Sequence, residues 1–383
     1  MAGAAGRSET LADLGEWELI RRLGAFAPPG QLADDAAVLE ADDRRPQALS
    51  SAPLDPGRAE TGPHACLSSA GALVINTDVL VEGIHFSDAT TSAADVGWRA
   101  AAANLSDLAA MGCSEVVGIT VGLVAPGSTT WSWVEGVYRG LSEALAADGG
   151  VLLGGDCSGG GQRILAVTAL GRLSREGGPI RRADGRPGDL LVCTGPHGLS
   201  RLGLALLQAG HTSGGTEHAA AGDAAAAGED GLTNDEPALV QRAIRAHQRP
   251  VPRFDAVRAL IASRPAGSAW RVGGCDSSDG LAAAVRAIAA TSGCAARLER
   301  QRLPLDPAMA SLPRAEAWCL GGGEDFELVL ALEPIWAQAL VPALPGASVI
   351  GRLSVGHPGD LGWSDGSPWP EASSGSGGFQ HFG

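Results

Sequence analysis

Apolar residues recur along the chain with two different spacings. Short apolar runs of strand length are separated by longer segments whose apolar residues return at helical spacing, a pattern typical of alternating strands and helices. The elements predicted in the first half are a strand at 72–77, a helix at 93–111, a strand at 116–123, a helix at 131–147, and strands at 151–153 and 164–173. Gly112 is expected to end the first helix. The alternation predicts an α/β fold.

A segment rich in Gly, Pro and Arg, at 175–189, interrupts this pattern before the alternation resumes. The elements predicted after it are a strand at 190–194, helices beginning at 199, 237 and 254, a strand before Cys275, a helix at 281–292, and strands at 327–331 and 348–353. A chain of 383 residues exceeds what one hydrophobic core usually serves. We therefore expect two domains, 1–178 and 179–383.

Three stretches show neither the strand spacing nor the helical spacing of apolar residues. Residues 44–70 and 210–235 are rich in Gly, Ala, Pro and Ser, so we interpret them as surface loops without chemistry. The tail at 365–378 has a similar composition, but the chain then ends in FQHFG. Two aromatic residues are unusual in a disordered end, which indicates that this end is held in place.

Composition excludes several kinds of partner and site. No stretch approaches the roughly 18 consecutive apolar residues that a membrane span needs, and the first residues resemble no signal peptide, so we expect a cytoplasmic protein. The formal charge of -15 argues against nucleic acid or an anionic membrane as a partner. Seven isolated cysteines, an odd number without a CxxC pair, fit neither a disulfide framework nor a zinc site.

The chain contains no lysine, so its 28 basic residues are all arginines. A P-loop, a protein-kinase site and Schiff-base chemistry each need a lysine, and all three are excluded. If this protein binds nucleotide phosphates, metal ions and arginines must hold them.

Aspartates recur where predicted elements meet. They are Asp34, Asp35, Asp78, Asp107, Asp156, Asp276 and Asp279. Carboxylates that converge at such junctions can bind Mg²⁺, whereas a single Asp at a helix start more often only caps the helix or shapes a turn. Asp279 is the most cap-like, and Asp34 has a turn-shaping alternative. Two glycines before Asp156 and three before Glu324 permit close approach of a ligand, although each pattern alone is weak.

Ten segments, taken in order, carry the most distinctive motifs of the chain: LADDAAVL, INTDVLVEGIHF, AAANLSDLAAMG, LLGGDCSGG, VTALGRL, DGRPGDLLVCTGPHG, RPVPRF, DSSDGLAAAV, LGGGEDFEL and GFQHF. Together they resemble the segments of thiamine-monophosphate kinases. The resemblance spans nearly the whole chain. It implies the α/β (α+β) fold of the aminoimidazole ribonucleotide synthetase superfamily, with an N-terminal domain that dimerises through its sheet, a C-terminal α/β domain, and a homodimer with ATP sites near its interface.

The resemblance also implies roles for individual residues. Several Mg²⁺ ions bridging the ATP phosphates would be held by Asp35, Asn76, Thr77, Asp78, Asp107, Asp156, Asp276 and Asp279. The ATP site would include Tyr138, Gly155, Asp156, Arg182 and Ser278. Thiamine monophosphate would be bound by His85, Glu324 and Phe379. Because the second pKa of a phosphate monoester is near 6, the acceptor oxygen needs no general base, and we assign no acid or base residue.

Four residues depart from the family pattern: Ala33 replaces a glycine, Asn76 a small hydroxyl residue, Phe326 a tyrosine, and Ala284 an aspartate that could support a metal ligand. Two alternatives therefore stay open. One is another ATP-using enzyme of the superfamily, such as a selenophosphate synthetase, although the first cysteine here is Cys66, in a predicted loop. The other is a catalytically silent nucleotide-binding paralogue.

Overall fold

The computed structural model describes residues 18, 21, 34–39, 71–210 and 237–370. Its first sheet has five strands: β1 (Ala37–Leu39), β2 (Leu73–Val81), β3 (Cys113–Ala125), β4 (Val151–Gly159) and β5 (Ile164–Leu173). Their order across the sheet is β1-β2-β5-β3-β4. β3 and β4 pair in parallel, and the other pairs are antiparallel.

Two helices, α1 (Ala93–Ala110) and α2 (Trp131–Asp148), pack on one face of this sheet. Ser92 and Thr130 cap them by accepting backbone N–H groups of their first turns. The backbones of the two helices approach closely at Gly97, where a methyl group would lie 1.9 Å from the carbonyl oxygen of Val137. Gly112 follows α1 with φ +86, which confirms its predicted role as a helix terminator.

The second sheet has six strands: β6 (Leu190–Cys193), β7 (Gly273–Asp276), β8 (Ala295–Leu298), β9 (Leu328–Leu332), β10 (Ser348–Ser354) and β11 (Leu361–Trp363). Their order is β11-β8-β10-β6-β9-β7, antiparallel except for β8 with β11. The accompanying helices are α3 (Leu199–Gln208), α4 (Pro237–Gln248), α5 (Phe254–Ala262), α6 (Leu281–Thr291), α7 (Ala315–Gly321) and α8 (Pro334–Ala343). The predicted α/β class is thus confirmed.

Two predicted strand ends are wrong, and both affect the site. β2 continues to Val81 and β4 to Gly159, so Asp78 and Asp156 lie inside strands and not at junctions. Asp78 and the glycine pair before Asp156 suggested an end, but pairing with the neighbouring strands continues past them, with Asp78 opposite Val167 and Asp156 opposite Gly122. β8, β11, α7 and α8 were not predicted from the sequence. The predicted loops at 44–70 and 211–235 lie outside the described residues.

The two sheets meet at the C-terminal end of α1. The backbone N–H of Ile180 donates to Met111 O at 3.1 Å, and that of Arg181 donates to Val272 O at 3.2 Å. The Ser106 hydroxyl of α1 donates to Asp276 at the end of β7. Among the described residues, no helix is both long and apolar enough to cross a membrane.

Candidate active site

Three carboxylates from distant parts of the sequence meet where the sheets join. Asp35 precedes β1, Asp107 lies in the last turn of α1, and Asp276 ends β7. One oxygen from each lies within 4.8 Å of the other two. This spacing suits a shared cation, and oxygen ligands of this kind are those that Mg²⁺ prefers.

Burial and mutual repulsion disfavour the ionised form of this triad. Burial raises the pKa of Asp35 to about 7, with the charges of Asp276 and Asp34 adding to the effect and Arg182 opposing it. The pKa of Asp107 is also raised well above its usual value, mainly by burial and then by the charges of Asp78, Asp276 and Asp35. A divalent cation bound among these oxygens would offset both the burial and the repulsion.

Neighbouring polar groups fix the orientation of each carboxylate. Asp276 accepts hydrogen bonds from the hydroxyls of Ser106 at 2.7 Å and Ser278 at 2.9 Å. Arg182 pairs with Asp35, and its backbone N–H donates to Asp34 at 2.9 Å. Asp34 thus anchors the short helix that begins at Arg182, in keeping with its predicted structural role.

The side-chain amide of Asn76 places a further oxygen, which can coordinate a metal ion, beside the triad. Its amide nitrogen donates to Asp107 Oδ2 at 2.7 Å and to Asn104 Oδ1 at 3.2 Å. Within the described part of the chain, its own buried Oδ1 has no hydrogen-bond partner. A buried amide oxygen without a donor is energetically costly, and a bound cation would satisfy it. The residues present therefore fit a magnesium site.

The other predicted metal ligands occupy different positions relative to the triad. Asp78 lies on the helix-facing side of β2, where its backbone N–H donates to Asn104 and its charge acts on Asp107. The Thr77 side chain lies on the opposite side of β2 and contacts Thr168 at 2.8 Å. Asp279 is exposed and follows Ser278 at the start of α6.

Asp156, Gly155 and Tyr138 form a separate group at the edge of the first sheet. β4 is three strands away from β2, which places Asp156 about 14 Å from Asp78 by the usual strand spacing. Tyr138 on α2 lies near Cys157, whose charge, after burial, raises the tyrosine pKa. A methyl group on Gly155 would lie 2.0 Å from Val121 O, so pairing with β3 already requires a glycine there. Among the described residues, this group does not lie at the triad.

His85 and Glu324 form a third group, joined through Arg99 of α1, whose Nη2 donates to the carbonyl of His85 and to the Glu324 carboxylate. His85 Nδ1 accepts the backbone N–H of Val81 at 3.0 Å, so the neutral ring carries its proton on Nε2. Burial would raise the pKa of Glu324, but the nearby Arg99, His247 and His85 lower it on balance. Its backbone N–H donates to Ser278 O at 2.7 Å. Phe379 lies outside the described residues.

Sequence reasoning missed four residues of this region: Arg99, Asn104, Ser106 and His247. All four are buried polar residues with hydrogen bonds inside the site. For Asn104 and Ser106 a signal was available, since they stand with Asp107 as polar positions in an alanine-rich helix. The replaced aspartate position, Ala284, is buried in the apolar cluster of the second sheet.

Comparison with known proteins assigns the family. A family model described as AIR synthase related protein, N-terminal domain, matches residues 33–173. A thiamine-monophosphate kinase of Prochlorococcus marinus is 41% identical over 98% of this chain and 98% of the relative. That of Synechococcus elongatus is 44% identical over 97% of this chain and 98% of the relative. The chain belongs to the thiamine-monophosphate kinase family.

A solved structure confirms the expected superfamily fold. It is described as AaThiL complexed with AMPPCP and TMP, and it aligns with a TM-score of 0.71 and 24% identity. The alignment covers 98% of this chain and 99% of that one. The aminoimidazole ribonucleotide synthetase-like fold implied by the motifs is therefore correct.

Proposed function

We propose that the chain transfers the γ-phosphoryl group of ATP to thiamine monophosphate and releases thiamine diphosphate and ADP. The observation that carries this proposal is the placement of Glu324 beside the carboxylate triad. Ser278 links the two directly, because its hydroxyl donates to Asp276 while its carbonyl accepts the N–H of Glu324. The names of the relatives and the AMPPCP and TMP bound to AaThiL support the same two substrates.

On the nucleotide side, several Mg²⁺ ions would be held by the triad with Asn76, Asp78 and Asp279. Magnesium bound there supplies charge neutralisation and a fixed geometry for the ATP phosphates. Arg182 adds a positive charge that pairs with Asp35 in this structure and can turn to a phosphate oxygen. No lysine is required.

On the acceptor side, the ionised Glu324 offsets the positive charge of the thiazolium ring, and His85 offers Nε2–H as a donor. Phe379 is proposed to stack on the flat heterocycles. A phosphate monoester is largely deprotonated at neutral pH, so its oxygen attacks without a general base. The protein contributes alignment of two anions that would otherwise repel each other.

We further propose that the enzyme is a homodimer formed through the first sheet. One face of that sheet, which includes Thr77, Val79 and Thr168, is exposed or half-buried, while the opposite face is buried. All nine residues of the edge strand β4 are exposed, among them Val151 and Leu153. A long apolar edge of this kind is normally covered by a partner. In such a dimer, Asp156, Gly155 and Tyr138 would lie close to a nucleotide bound near the interface.

A cytoplasmic location is proposed for the enzyme. All six cysteines in the described ranges are free thiols, five of them buried. Unpaired cysteines are the norm in a reducing compartment.

The decisive experiment incubates the purified chain with Mg·ATP and thiamine monophosphate and follows thiamine diphosphate and ADP by chromatography. We expect equal amounts of both products, and their loss without magnesium or in Asp78→Asn. The matched control is Asp88→Asn, an exposed carboxylate paired with Arg163 outside the site, which should retain activity. Binding of Mg·ATP without any thiamine diphosphate would contradict the proposal and favour the silent paralogue.

A further inference from the structure

A buried arginine at the junction of the sheets has no role in the mechanism above. Arg99 lies on α1, and only 4% of its side chain is exposed. Its Nη2 donates to Glu324 Oε1 at 2.5 Å and to the carbonyl of His85 at 3.4 Å. Its Nη1 donates to the carbonyl of His247. The guanidinium therefore joins both acceptor-side residues to one rigid helix.

Glu324 has a backbone conformation that demands external support. Its φ is +58, a left-handed value that non-glycine residues rarely adopt, and Phe326 two positions later has φ +52. Asp325 holds this loop by accepting the backbone N–H groups of Gly198 at 2.7 Å and Ser200 at 3.0 Å. A strained segment held by several anchors is typical of functional sites.

The backbone of the loop is fixed by these anchors, but the Glu324 side chain depends on other groups. Oε1 pairs with Arg99, and Oε2 lies 3.6 Å from His247 Nδ1. Burial, together with the nearby charge of Arg99, lowers the pKa of His247 to about 3, so this histidine is neutral at physiological pH. Arg99 is thus a buried permanent cation that donates directly to the carboxylate.

The segment 249–253, between α4 and α5, lies beside α1 and beside the loop that carries Glu324. Arg249 donates to Asp95 of α1 at 2.6 Å and to Glu143 of α2 at 2.7 Å. At the other end of the segment, Arg253 pairs with Glu327, three residues after Glu324. The segment therefore connects α1 with the loop that carries Glu324.

We propose that Arg99 is a positioning residue that aims the Glu324 carboxylate at the cationic ring of the acceptor. It occupies Oε1 and fixes the rotamer, while 36% of the glutamate side chain remains exposed. This inference rests on the proposed acceptor. It assigns Arg99 to acceptor binding and not to the nucleotide side.

The test is calorimetric titration of thiamine monophosphate into the full chain with Mg·AMPPCP present. Arg99→Gln should weaken acceptor binding on the order of tenfold, as expected when one partner of a buried pair is removed, and leave AMPPCP affinity within about twofold. Arg99→Lys, which keeps the charge but loses the two-pronged geometry, should give an intermediate affinity.

A double variant separates positioning from general stabilisation. If Arg99 acts through Glu324, adding Arg99→Gln to Glu324→Gln should weaken acceptor binding no further. Arg249→Gln is the matched control, because Arg249 anchors the neighbouring segment to α1 and α2 through Asp95 and Glu143 and not through Glu324, and it should retain wild-type acceptor affinity. Additive losses in the double variant, or an equal loss in Arg249→Gln, would overturn the inference.

The inference and the proposed function fail in different ways. A wild-type chain that binds thiamine monophosphate but forms no thiamine diphosphate overturns the kinase reaction alone. An Arg99→Gln chain with wild-type acceptor affinity overturns the positioning role alone. A wild-type chain that does not bind thiamine monophosphate overturns both.

Discussion

In the metal-free protein, each ionised carboxylate of the triad is energetically unfavourable. The three groups form a site for a cation only when they act together. Asp35 and Asp107 have raised pKa values because they are buried close to other negative charges. Evolution keeps such groups when a ligand compensates them, at the expense of stability without the ligand. Function and stability should therefore respond in opposite directions when one carboxylate is neutralised.

Asp107→Asn should stabilise the metal-free protein and inactivate the enzyme. The new amide can still accept the Asn76 hydrogen bond, while one repelling charge disappears. We expect the midpoint of thermal unfolding without magnesium to rise by roughly 2–6 °C. We expect kcat/KM to fall roughly 100-fold or more, because a metal ligand is lost. Differential scanning calorimetry and the coupled kinase assay measure the two effects.

Asp156→Asn is the matched control for that substitution. Asp156 is exposed on β4 and lies outside the triad, so its neutralisation should reduce activity without raising the metal-free melting temperature. An equal stabilisation by both substitutions would show that the repulsion is not specific to the triad.

His197 should make stability depend on pH. It is fully buried between β6 and β7, where Nε2 contacts the Ser277 hydroxyl at 2.9 Å, and burial lowers its pKa to about 4. The unfolded histidine binds a proton near pH 6.5, so acid favours the unfolded chain between these values. The contribution of His197 to the free energy of unfolding should fall by on the order of 3 kcal/mol as the pH decreases from about 6.5 to 4. The buried carboxyls of Asp35 and Asp107, whose pKa values are raised, act in the opposite direction over this range, so the comparison with a His197 variant isolates the histidine.

Urea unfolding at several pH values measures this dependence. His197→Asn should be less stable at pH 7 but lose less stability on acidification than the wild type. His357→Asn, which removes an exposed histidine, is the control and should keep the wild-type pH profile. A His197→Asn profile parallel to the wild type would contradict the assignment.

At the scale of elements, α1 determines the site because it carries Arg99, Asn104 and Asp107. Its position is set by backbone contact with α2. Methyl groups on Gly97 and Gly140 would lie 1.9 Å and 1.8 Å from carbonyl oxygens of the opposing helix. Small residues at a helix crossing permit this approach, and larger ones push the helices apart.

Gly97→Ala should destabilise the protein although alanine is the better helix former. The propensity gain of about 1 kcal/mol is outweighed by overpacking, and we expect a net loss of about 2 kcal/mol in the free energy of unfolding. Gly127→Ala is the control, since a methyl group there would contact nothing within 4 Å. Chemical denaturation compares the two, and an unchanged Gly97→Ala protein would contradict the close packing.

At the scale of the whole molecule, two sheets each carry part of the site. The first sheet ends at Leu173 and the second begins at Leu190, and our proposed domain boundary at 178/179 falls between them. The triad draws Asp35 and Asp107 from the first part and Asp276 from the second. Any change in the relative position of the two parts should therefore alter metal binding.

Val151→Asp should dissociate the proposed homodimer. Val151 begins the exposed edge strand and is 55% exposed, and a charge there opposes burial against a second copy. Sedimentation velocity should show a dimeric wild type and a largely monomeric variant. Val355→Asp places the same charge on a valine that is 88% exposed in the bend after β10, and it should remain dimeric. A monomeric wild type would contradict the dimer.

Local sequence was sufficient for most elements and for the identity of the chemistry. Apolar periodicity located β5, α1 and α2 within one or two residues, because one buried face imposes its period on the sequence. The absence of lysine excluded a P-loop, a protein-kinase site and Schiff-base chemistry without reference to structure. The aspartate motifs and their resemblance to one enzyme family provided the set of candidate metal ligands.

Only the tertiary structure decided which of those residues meet. Asp35, Asp107 and Asp276 converge through contacts between residues far apart in sequence, whereas Asp156 is displaced by three strand widths, and no local pattern carries this difference. The same holds for Arg99, which looks like one more polar position on a helix until the fold places it against Glu324. Periodicity records which face of an element is buried, but the partner across that face depends on how distant segments pack.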